Sequence, residues 1–217
     1  YNIMLSSLKE LIRKNNEEAR QTVLSEIKQL ESQFNPHFLF NTLENIKFMI
    51  KLNPDSATKM IVCLSTLLRY SISNSITGVT LAEDMEFTEN YLSIQKYRFN
   101  SRFNYTLDLA DEIRDCIVPK LIIQPIIENS TKYSFEGKDN LTVSIKAEMY
   151  SGNLLITIQD DGDGINLEKL NELRTLMEST VNESNHIGLY NINRRIKLMY
   201  GENYGLTLDS RLNVGTC

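Results

Sequence analysis

The sequence lacks three features that would each indicate a different class of protein. It has no basic cluster, and its formal net charge of −5 argues against nonspecific binding of nucleic acid. It has no apolar run long enough to cross a bilayer, and it has no signal peptide. Its three cysteines, Cys63, Cys116 and Cys217, lie far apart and show no metal-ligand spacing, so we expect reduced thiols.

The remaining composition is typical of a soluble globular protein with one or two domains. The chain has 217 residues, of which 41% are hydrophobic and 24% are charged. It starts at Tyr1 and stops at Cys217, directly after a predicted strand. We therefore expect a cytoplasmic fragment that is trimmed at both ends, and any membrane contact would be made by a segment upstream of it.

The first third of the sequence has the periodicity of helices. Apolar residues recur at intervals of three and four from Leu8 to Phe34, which fits a coiled coil, a bundle helix or an ordinary amphipathic helix equally well. We expect this helix to continue to about Leu52. Asn53-Pro54 then interrupts it.

A second amphipathic helix follows the interruption. Asp55 or Ser56 is expected to cap it, and it should end before Asn74. One helical hairpin buries little apolar surface, so two copies should pair as a four-helix bundle in a homodimer.

The pattern changes from helical to mixed in the last part of the chain. This predicts an α+β domain in which helices cover one face of a mixed sheet. The predicted helices are Leu81–Phe99, Pro119–Tyr133, Leu167–Met177 and His186–Tyr200, and the predicted strands are Phe103–Leu109, Leu141–Met149, Asn153–Gln159 and Leu206–Arg211.

One stretch of the first helix, residues 33–41, sets His37 directly after a proline and among three phenylalanines. On a helix, His37 shares a face with Asn41 and Glu44. Pro36 either starts a helix or kinks a longer one, and the apolar pattern upstream favours the kink. The imidazole is either a structural group or a nucleophile, and the motif by itself leaves both readings open.

A second constellation lies downstream in three pieces. The first is polar and ends the predicted helix: Asn129, Lys132 and Tyr133 share one side of it, with Glu128 beside them. A carboxamide can hold Mg²⁺, a lysine can meet phosphates and a tyrosine offers a flat ring.

The second piece, Asp160-Asp161-Gly162-Asp163-Gly164, follows a strand directly. Its glycines allow a ligand to approach the backbone, and its first aspartate can accept a hydrogen bond from an exocyclic amine. A plain turn or a calcium loop are the alternatives, but the closing glutamate of an EF-hand is absent.

The third piece contains Gly188 and Leu189, where a glycine precedes a helix whose amides can hold phosphate oxygens. Residues 166–185, between the second and third pieces, have the length and composition of a mobile lid.

In this order the three pieces resemble the nucleotide-binding boxes of the ATPase superfamily shared by gyrase, heat-shock chaperones, histidine kinases and mismatch-repair proteins. The stretch around His37 resembles the phosphoacceptor box of the LytS/YesM-type sensor histidine kinases. The resemblance covers most of the chain from about residue 25. It implies three domains, which are a signalling helix (1–33), a dimerisation and phosphotransfer hairpin (34–78) and a catalytic domain (79–217). Further matching motifs are Leu67-Leu68-Arg69-Tyr70, Asn90-Tyr91-Leu92, Gln124-Pro125 with Glu128-Asn129, and Asn191 with Arg194 and Arg195.

The resemblance implies a role for each residue of these motifs. His37 would accept phosphate, Asn129 would coordinate Mg²⁺ and Asp160 would bind the adenine amine of ATP. The other implied nucleotide contacts are Lys132 and the backbone of Gly188 and Leu189 at the phosphates, Tyr133 flanking the nucleotide, and Gly162, Gly164 and Ile165 shaping the adenine pocket. The sequence departs from the family pattern at His186, which replaces a glycine, and at Tyr133, which replaces a common histidine.

The implied function is that of a two-component sensor histidine kinase. The chain would phosphorylate itself at His37 from Mg²⁺-ATP and pass the phosphoryl group to an aspartate of a response regulator. Glu44 or Glu128 would hold the imidazole proton, and Asn41 would orient the ring or a water molecule. The competing readings are a degenerate nucleotide-sensing scaffold and a freestanding ATPase. The full-length protein is expected in the cell membrane, with this part facing the cytoplasm.

Overall fold

The structure is a computed structural model, and it describes most of the chain after residue 35. The backbone is described for residues 36–72, 78–133, 138–178 and 187–217. The predicted signalling helix, the side chain of His37 and His186 lie outside the described residues. Residues 35–217 form one compact unit, and the predicted domain boundary at residue 78 stays a prediction.

The helical hairpin forms as the sequence predicts, with a different cap. Helix α1 spans Pro36–Leu52 and helix α2 spans Pro54–Ile72. The side chain of Asn53 accepts a hydrogen bond from the backbone N–H of Ser56, with a distance of 3.1 Å. The prediction that Asp55 or Ser56 is the cap is therefore wrong. Pro54 occupies the first helical position, where its missing N–H costs nothing.

The hairpin buries one face and exposes another. Phe38 and Ile46 of α1 and Met60 and Leu67 of α2 are buried. A second set of large apolar side chains on the same two helices is exposed: Phe40, Leu43, Phe48, Ile50, Leu52, Ile61 and Val62. Helix α1 is first described at Pro36, so the choice between a kink and a helix start stays a prediction.

Helix α3, Leu81–Phe99, begins where the sequence predicts because a capping box closes its first turn. The Thr80 hydroxyl accepts from the N–H of Glu83 at 3.2 Å, and the Glu83 carboxylate accepts from the N–H of Thr80 at 2.9 Å. Helix α3 packs along α2 and thereby joins the hairpin to the rest of the unit. Ahead of it, strand β1 (Val79–Thr80) pairs antiparallel with β3 (Ile117–Val118).

The main sheet is mixed, as predicted. Its five strands are β2 (Phe103–Leu109), β4 (Leu141–Tyr150), β5 (Asn153–Asp160), β6 (Ser210–Arg211) and β7 (Gly215–Thr216). Their order in the sheet is β2-β4-β5-β7-β6. Strand β2 is parallel to β4, and the other neighbours are antiparallel. The turn between β4 and β5 lies at Ser151-Gly152, where both residues have positive φ, the conformation of a tight two-residue hairpin turn.

Three further α-helices are α4 (Gln124–Tyr133), α5 (Leu167–Glu178) and α6 (Ile187–Tyr200). Helix α4 packs on β4 and β5, and α6 contacts both α4 and α5. Alternating side chains of β4 are buried on the face toward the core. Within the described residues, no helix is long and apolar enough to cross a membrane.

Two predicted elements are shorter than expected. Residues 119–123 form a turn before α4 instead of its first part, and Leu121 there has a φ of 59°. The N–H of Leu121 donates to the buried carboxylate of Asp84 at 2.7 Å, which holds this turn against α3. The last predicted strand is regular only at Ser210–Arg211, and just before it Asp209 exchanges two backbone hydrogen bonds with Cys217. At its predicted start, the N–H of Leu206 donates instead to the side chain of Asn193 on α6 at 2.8 Å.

Candidate active site

A pocket of about 550 Å³ lies at the end of β5, between helices α4, α5 and α6. It gathers predicted site residues from three separate pieces of the sequence. Those that line it are Asn129, Lys132, Tyr133, Asp160, Gly164, Ile165, Gly188 and Leu189. Its size is within the range of small-molecule sites.

The end of α4 supplies the polar wall of this pocket. Ile127, near the middle of α4, is fully buried, whereas Lys132 and Tyr133 at its end are exposed. The ammonium of Lys132 lies 4.8 Å from the centre of the Tyr133 ring. A lysine is positively charged at neutral pH, and hydrogen bonding to Tyr133 raises the pKa of Lys132 further. The mouth of the pocket therefore carries a cation beside an aromatic ring.

The carboxylate of Asp160 is buried at the base of the pocket and accepts three hydrogen bonds. Its Oδ1 accepts from the backbone N–H of Gly162 at 3.0 Å and from that of Thr216 at 3.2 Å. Its Oδ2 accepts from the hydroxyl of Ser130 on α4 at 2.7 Å. These donors fix the carboxylate between β5, β7 and α4.

The loop after β5 is held by the neighbouring hairpin of β6 and β7. Gly164 has a φ of 68°, and a Cβ there would lie 2.0 Å from the carbonyl oxygen of Arg211, so only glycine fits. The N–H of Ile165 donates to the hydroxyl of Ser210 at 2.8 Å. Gly162 is buried beside Asp160 but is not among the lining residues.

The side chains around the pocket include a candidate ligand for Mg²⁺. Within the described part of the chain, no group of three or more His, Cys, Asp or Glu side chains could hold a metal ion. The carboxamide of Asn129 does line the pocket. A single neutral oxygen ligand suits Mg²⁺ that is also bound by nucleotide phosphates and water.

The start of α6 faces the carboxamide of Asn129. A Cβ added to Gly188 would lie 4.0 Å from Nδ2 of Asn129, in ordinary van der Waals contact. The first backbone amides of a helix are unsatisfied and favour anions. The second residue of α6 thus lies next to the polar end of α4, as the sequence predicts.

Three predicted catalytic residues, Asn41, Glu44 and Glu128, do not line the pocket. His37 lies in the first turn of α1, and its side chain is outside the described set. Asn41, one turn later, is half-buried, and its backbone carbonyl accepts from the side chain of Asn45 at 2.8 Å. Glu44 is exposed on α1, and Glu128 is half-buried on α4. Their roles stay predictions.

Sequence reasoning missed three residues that shape the site. Ser130 and Thr216 both donate to Asp160. Lys138 donates to the carbonyl oxygens of Asp161 and Gly162, the second at 2.9 Å. Ser130 could have been predicted from the sequence, because it follows Asn129 directly on a polar helix end. The other two are brought to the loop only by strand pairing and the fold.

A buried contact joins the hairpin to α4. The ring of Phe38 lies 4.9 Å from that of Tyr91 on α3. The Tyr91 hydroxyl accepts from the side chain of Gln95 at 2.7 Å and lies 3.5 Å from the hydroxyl of Thr131 on α4. Burial raises the pKa of Tyr91, which therefore stays neutral.

Comparison with known proteins agrees with this architecture. A family model described as histidine kinase matches residues 25–103. A second model, described as histidine kinase-, DNA gyrase B-, and HSP90-like ATPase, matches residues 115–217. The second match contains the whole pocket lining.

Curated relatives match over most or all of this chain. The sensor histidine kinase YesM of Bacillus subtilis is 37% identical over 218 residues, which is 100% of this chain and 36% of the relative. The sensor protein kinase HptS of Staphylococcus aureus (strain USA300) is 31% identical over 191 residues, which is 88% of this chain and 37% of the relative. The chain thus spans little more than a third of the length of these relatives.

Among solved structures, a similar one is the histidine kinase domain of the blue-light activated histidine kinase EL346 from Erythrobacter litoralis. It is 17% identical, with a TM-score of 0.44, over 90% of this chain and 92% of that chain. The family assignment is independent of this likeness, because the two family models together match most of the chain in the order hairpin, then ATPase. The chain belongs to the histidine kinases.

Proposed function

We propose that this chain is the kinase core of a two-component sensor histidine kinase, which binds Mg²⁺-ATP in the pocket and phosphorylates itself at His37. The observation that carries the proposal is the convergence of Asn129, Lys132, Asp160 and Gly188 on one pocket of about 550 Å³. These residues come from three distant segments, and together they offer the groups that a purine nucleotide requires.

Each end of the pocket suits one end of ATP. At the buried end, the Asp160 carboxylate accepts a hydrogen bond from the adenine amine, and Gly164 and Ile165 shape the wall around the base. Tyr133 flanks the nucleotide with its exposed ring. At the open end, Lys132 and the first amides of α6, at Gly188 and Leu189, meet the phosphates.

Asn129 would hold Mg²⁺ through its carboxamide oxygen. The ion, when bound, neutralises charge on the phosphates during transfer. The protein contributes position: the γ-phosphorus, the attacking imidazole nitrogen and the leaving oxygen must lie in line. The new N–P bond forms at His37 as the bond to the leaving ADP oxygen breaks.

The imidazole must attack in its neutral form, and a nearby group should hold the proton on its other nitrogen. Glu44 lies on α1 two turns from His37, and Glu128 lies beside Asn129 on α4. Asn41, one turn from His37, would orient the ring or a water molecule. If one glutamate is the partner, its substitution by glutamine will shift the pH profile of autophosphorylation and leave ATP affinity unchanged.

The exposed apolar side chains of the hairpin support a homodimer. Phe48 is 64% exposed and Ile50 is 55% exposed on α1, and Val62 is an exposed apolar side chain on α2. An isolated hairpin leaves this surface in water, whereas two copies bury it in a four-helix bundle. In solution the chain should sediment as a dimer, and Phe48→Glu should shift it to a monomer.

The phosphoryl group would next pass from His37 to an aspartate of a separate response-regulator protein in signal transduction. The part described here has no helix that could span a membrane. Because the related sensor kinases are much longer than this chain, we propose that the full-length protein contacts the membrane through a segment upstream of this chain, which itself faces the cytoplasm.

Incubation with Mg²⁺-ATP labelled on its γ-phosphate tests the proposal. The parent chain should become a phosphoprotein with acid-labile label, and Asp160→Asn should lose both the label and ATP binding. Release of phosphate without labelled protein would support a freestanding ATPase instead. Binding of ATP without label or release would support a nucleotide-sensing scaffold.

A further inference from the structure

The number of hydrogen bonds already made to Asp160 limits what the pocket can accept. A carboxylate has about four acceptor directions, two on each oxygen. In the structure, Oδ1 accepts from Gly162 and Thr216, and Oδ2 accepts from Ser130. One direction, on Oδ2, is left for a ligand. Asp160 is only 5% exposed, so little water reaches the group.

Ser130 is the one side chain among these three donors. Its hydroxyl carries a single proton, which two acceptors could take. The Asp160 carboxylate lies 2.7 Å away and the backbone carbonyl of Ile126 lies 3.5 Å away. The shorter distance and the charge of the carboxylate favour the bond to Asp160. Ser130 is itself buried, with 8% exposure.

The remaining acceptor direction discriminates between purines. Adenine presents one exocyclic amine beside a ring nitrogen that is an acceptor. Guanine presents two adjacent donors, a ring N–H and an exocyclic amine. These two donors pair well with a carboxylate only when two of its acceptor directions are available. With Ser130 in place, Oδ2 can serve one donor, which suits adenine and leaves one donor of guanine unsatisfied.

We propose that Ser130 is a specificity-determining residue, which holds Asp160 so that the pocket selects adenine over guanine nucleotides. The inference rests on the proposed function, since it assigns a determinant to the same nucleotide pocket. Ser130 acts through Asp160 and is therefore a positioning residue. Removal of its hydroxyl frees a second direction on Oδ2 and also releases the carboxylate from one of its three anchors.

Equilibrium binding of ATP and GTP to the full chain tests this without any need for phosphotransfer. The variants are Ser130→Ala, which removes the donor; Ser130→Cys, which keeps the volume with a weak donor; and Ser130→Thr, which keeps the hydroxyl. Ser144→Ala is the matched control, because Ser144 lies exposed on β4 and its hydroxyl accepts from Thr106 at 3.2 Å. Circular dichroism confirms that each variant is folded.

The ratio of ATP affinity to GTP affinity should fall about tenfold in Ser130→Ala, since one hydrogen bond to a charged group is exchanged. It should fall by less in Ser130→Cys and stay at the parent value in Ser130→Thr and Ser144→Ala. An unchanged ratio in folded Ser130→Ala and Ser130→Cys would overturn the inference and leave the kinase proposal intact. Failure of the parent chain to bind ATP would overturn both.

Discussion

The ring of Phe38, the residue that follows His37, packs on the ring of Tyr91 with the two centroids 4.9 Å apart. Both side chains are buried, with exposures of 5% and 1%. Tyr91 in turn reaches toward Thr131, which precedes Lys132 on α4. Helix α1, which carries His37, and helix α4, which carries Lys132, therefore contact opposite ends of one tyrosine.

The Tyr91 hydroxyl is expected to stabilise this junction. Tyr91→Phe keeps the ring but leaves the buried amide of Gln95 without the acceptor that lies 2.7 Å away. We expect the free energy of unfolding to fall by about 1–3 kcal/mol, as measured by urea denaturation. Tyr97→Phe, at a half-buried position of the same helix, is the control. Equal stability of the two variants would contradict a structural role for the hydroxyl.

The buried carboxylate of Asp84 predicts a dependence of stability on pH. Its Oδ1 accepts from the Tyr70 hydroxyl at 2.9 Å and from the N–H of Leu121 at 2.7 Å. Burial raises the pKa of Asp84 above its ordinary value of 3.8. Because the folded pKa is the higher one, the contribution of Asp84 to stability is complete below pH 3.8 and is lost as pH rises through the folded pKa.

The measurement compares the parent with Asp84→Asn, which cannot titrate, by urea unfolding between about pH 4 and pH 8. The free energy of unfolding of the parent, minus that of the variant, should decrease as pH rises. Asp108→Asn, at an exposed position of β2, should show no such trend. A difference that stays constant or grows with pH would show that burial of Asp84 is not linked to proton binding.

Two glycines with positive φ allow the energetic cost of backbone strain to be compared with that of a steric clash. Gly152 has a φ of 82°, and a Cβ added there would meet open space. Gly164 has a φ of 68°, and a Cβ added there would lie 2.0 Å from the carbonyl oxygen of Arg211. Gly152→Ala should cost only the conformational strain, about 1–2 kcal/mol. Gly164→Ala should cost about 1–3 kcal/mol more, because the loop must move away from the hairpin.

Thermal unfolding and ATP binding measure both effects. Only Gly164→Ala should weaken ATP binding, since Gly164 lines the pocket and Gly152 lies in the turn between β4 and β5. If both variants lose ATP affinity equally, the loop after β5 is not the wall of the nucleotide site.

The parts of the fold that follow from local signals were predictable. The capping box at Thr80 and the alternation in β4 and β5 each depend on residues close together in the sequence. The helix predicted from Pro119 was wrong at its start because Asp84, far away in the chain, holds the N–H of Leu121 in a turn. An apolar segment gives no sign of such a distant partner.

The site shows the same division. The sequence motifs predicted Asn129, Asp160 and Gly188 as site residues, because their residue types and order carry chemical information. All three line the pocket. The Ser130–Asp160 hydrogen bond joins α4 to the end of β5, and only the packing of α4 on the sheet brings the two together. The backbone donor at Thr216 depends likewise on the pairing of β5 with β7.

We propose that His37 receives the phosphoryl group, and a comparison of the parent with His37→Gln under γ-labelled Mg²⁺-ATP tests this claim. Acid-labile label is expected on the parent and none on the variant, while both bind ATP with equal affinity because the pocket lies at α4, β5 and α6. Label on both chains would contradict the claim and place the acceptor elsewhere.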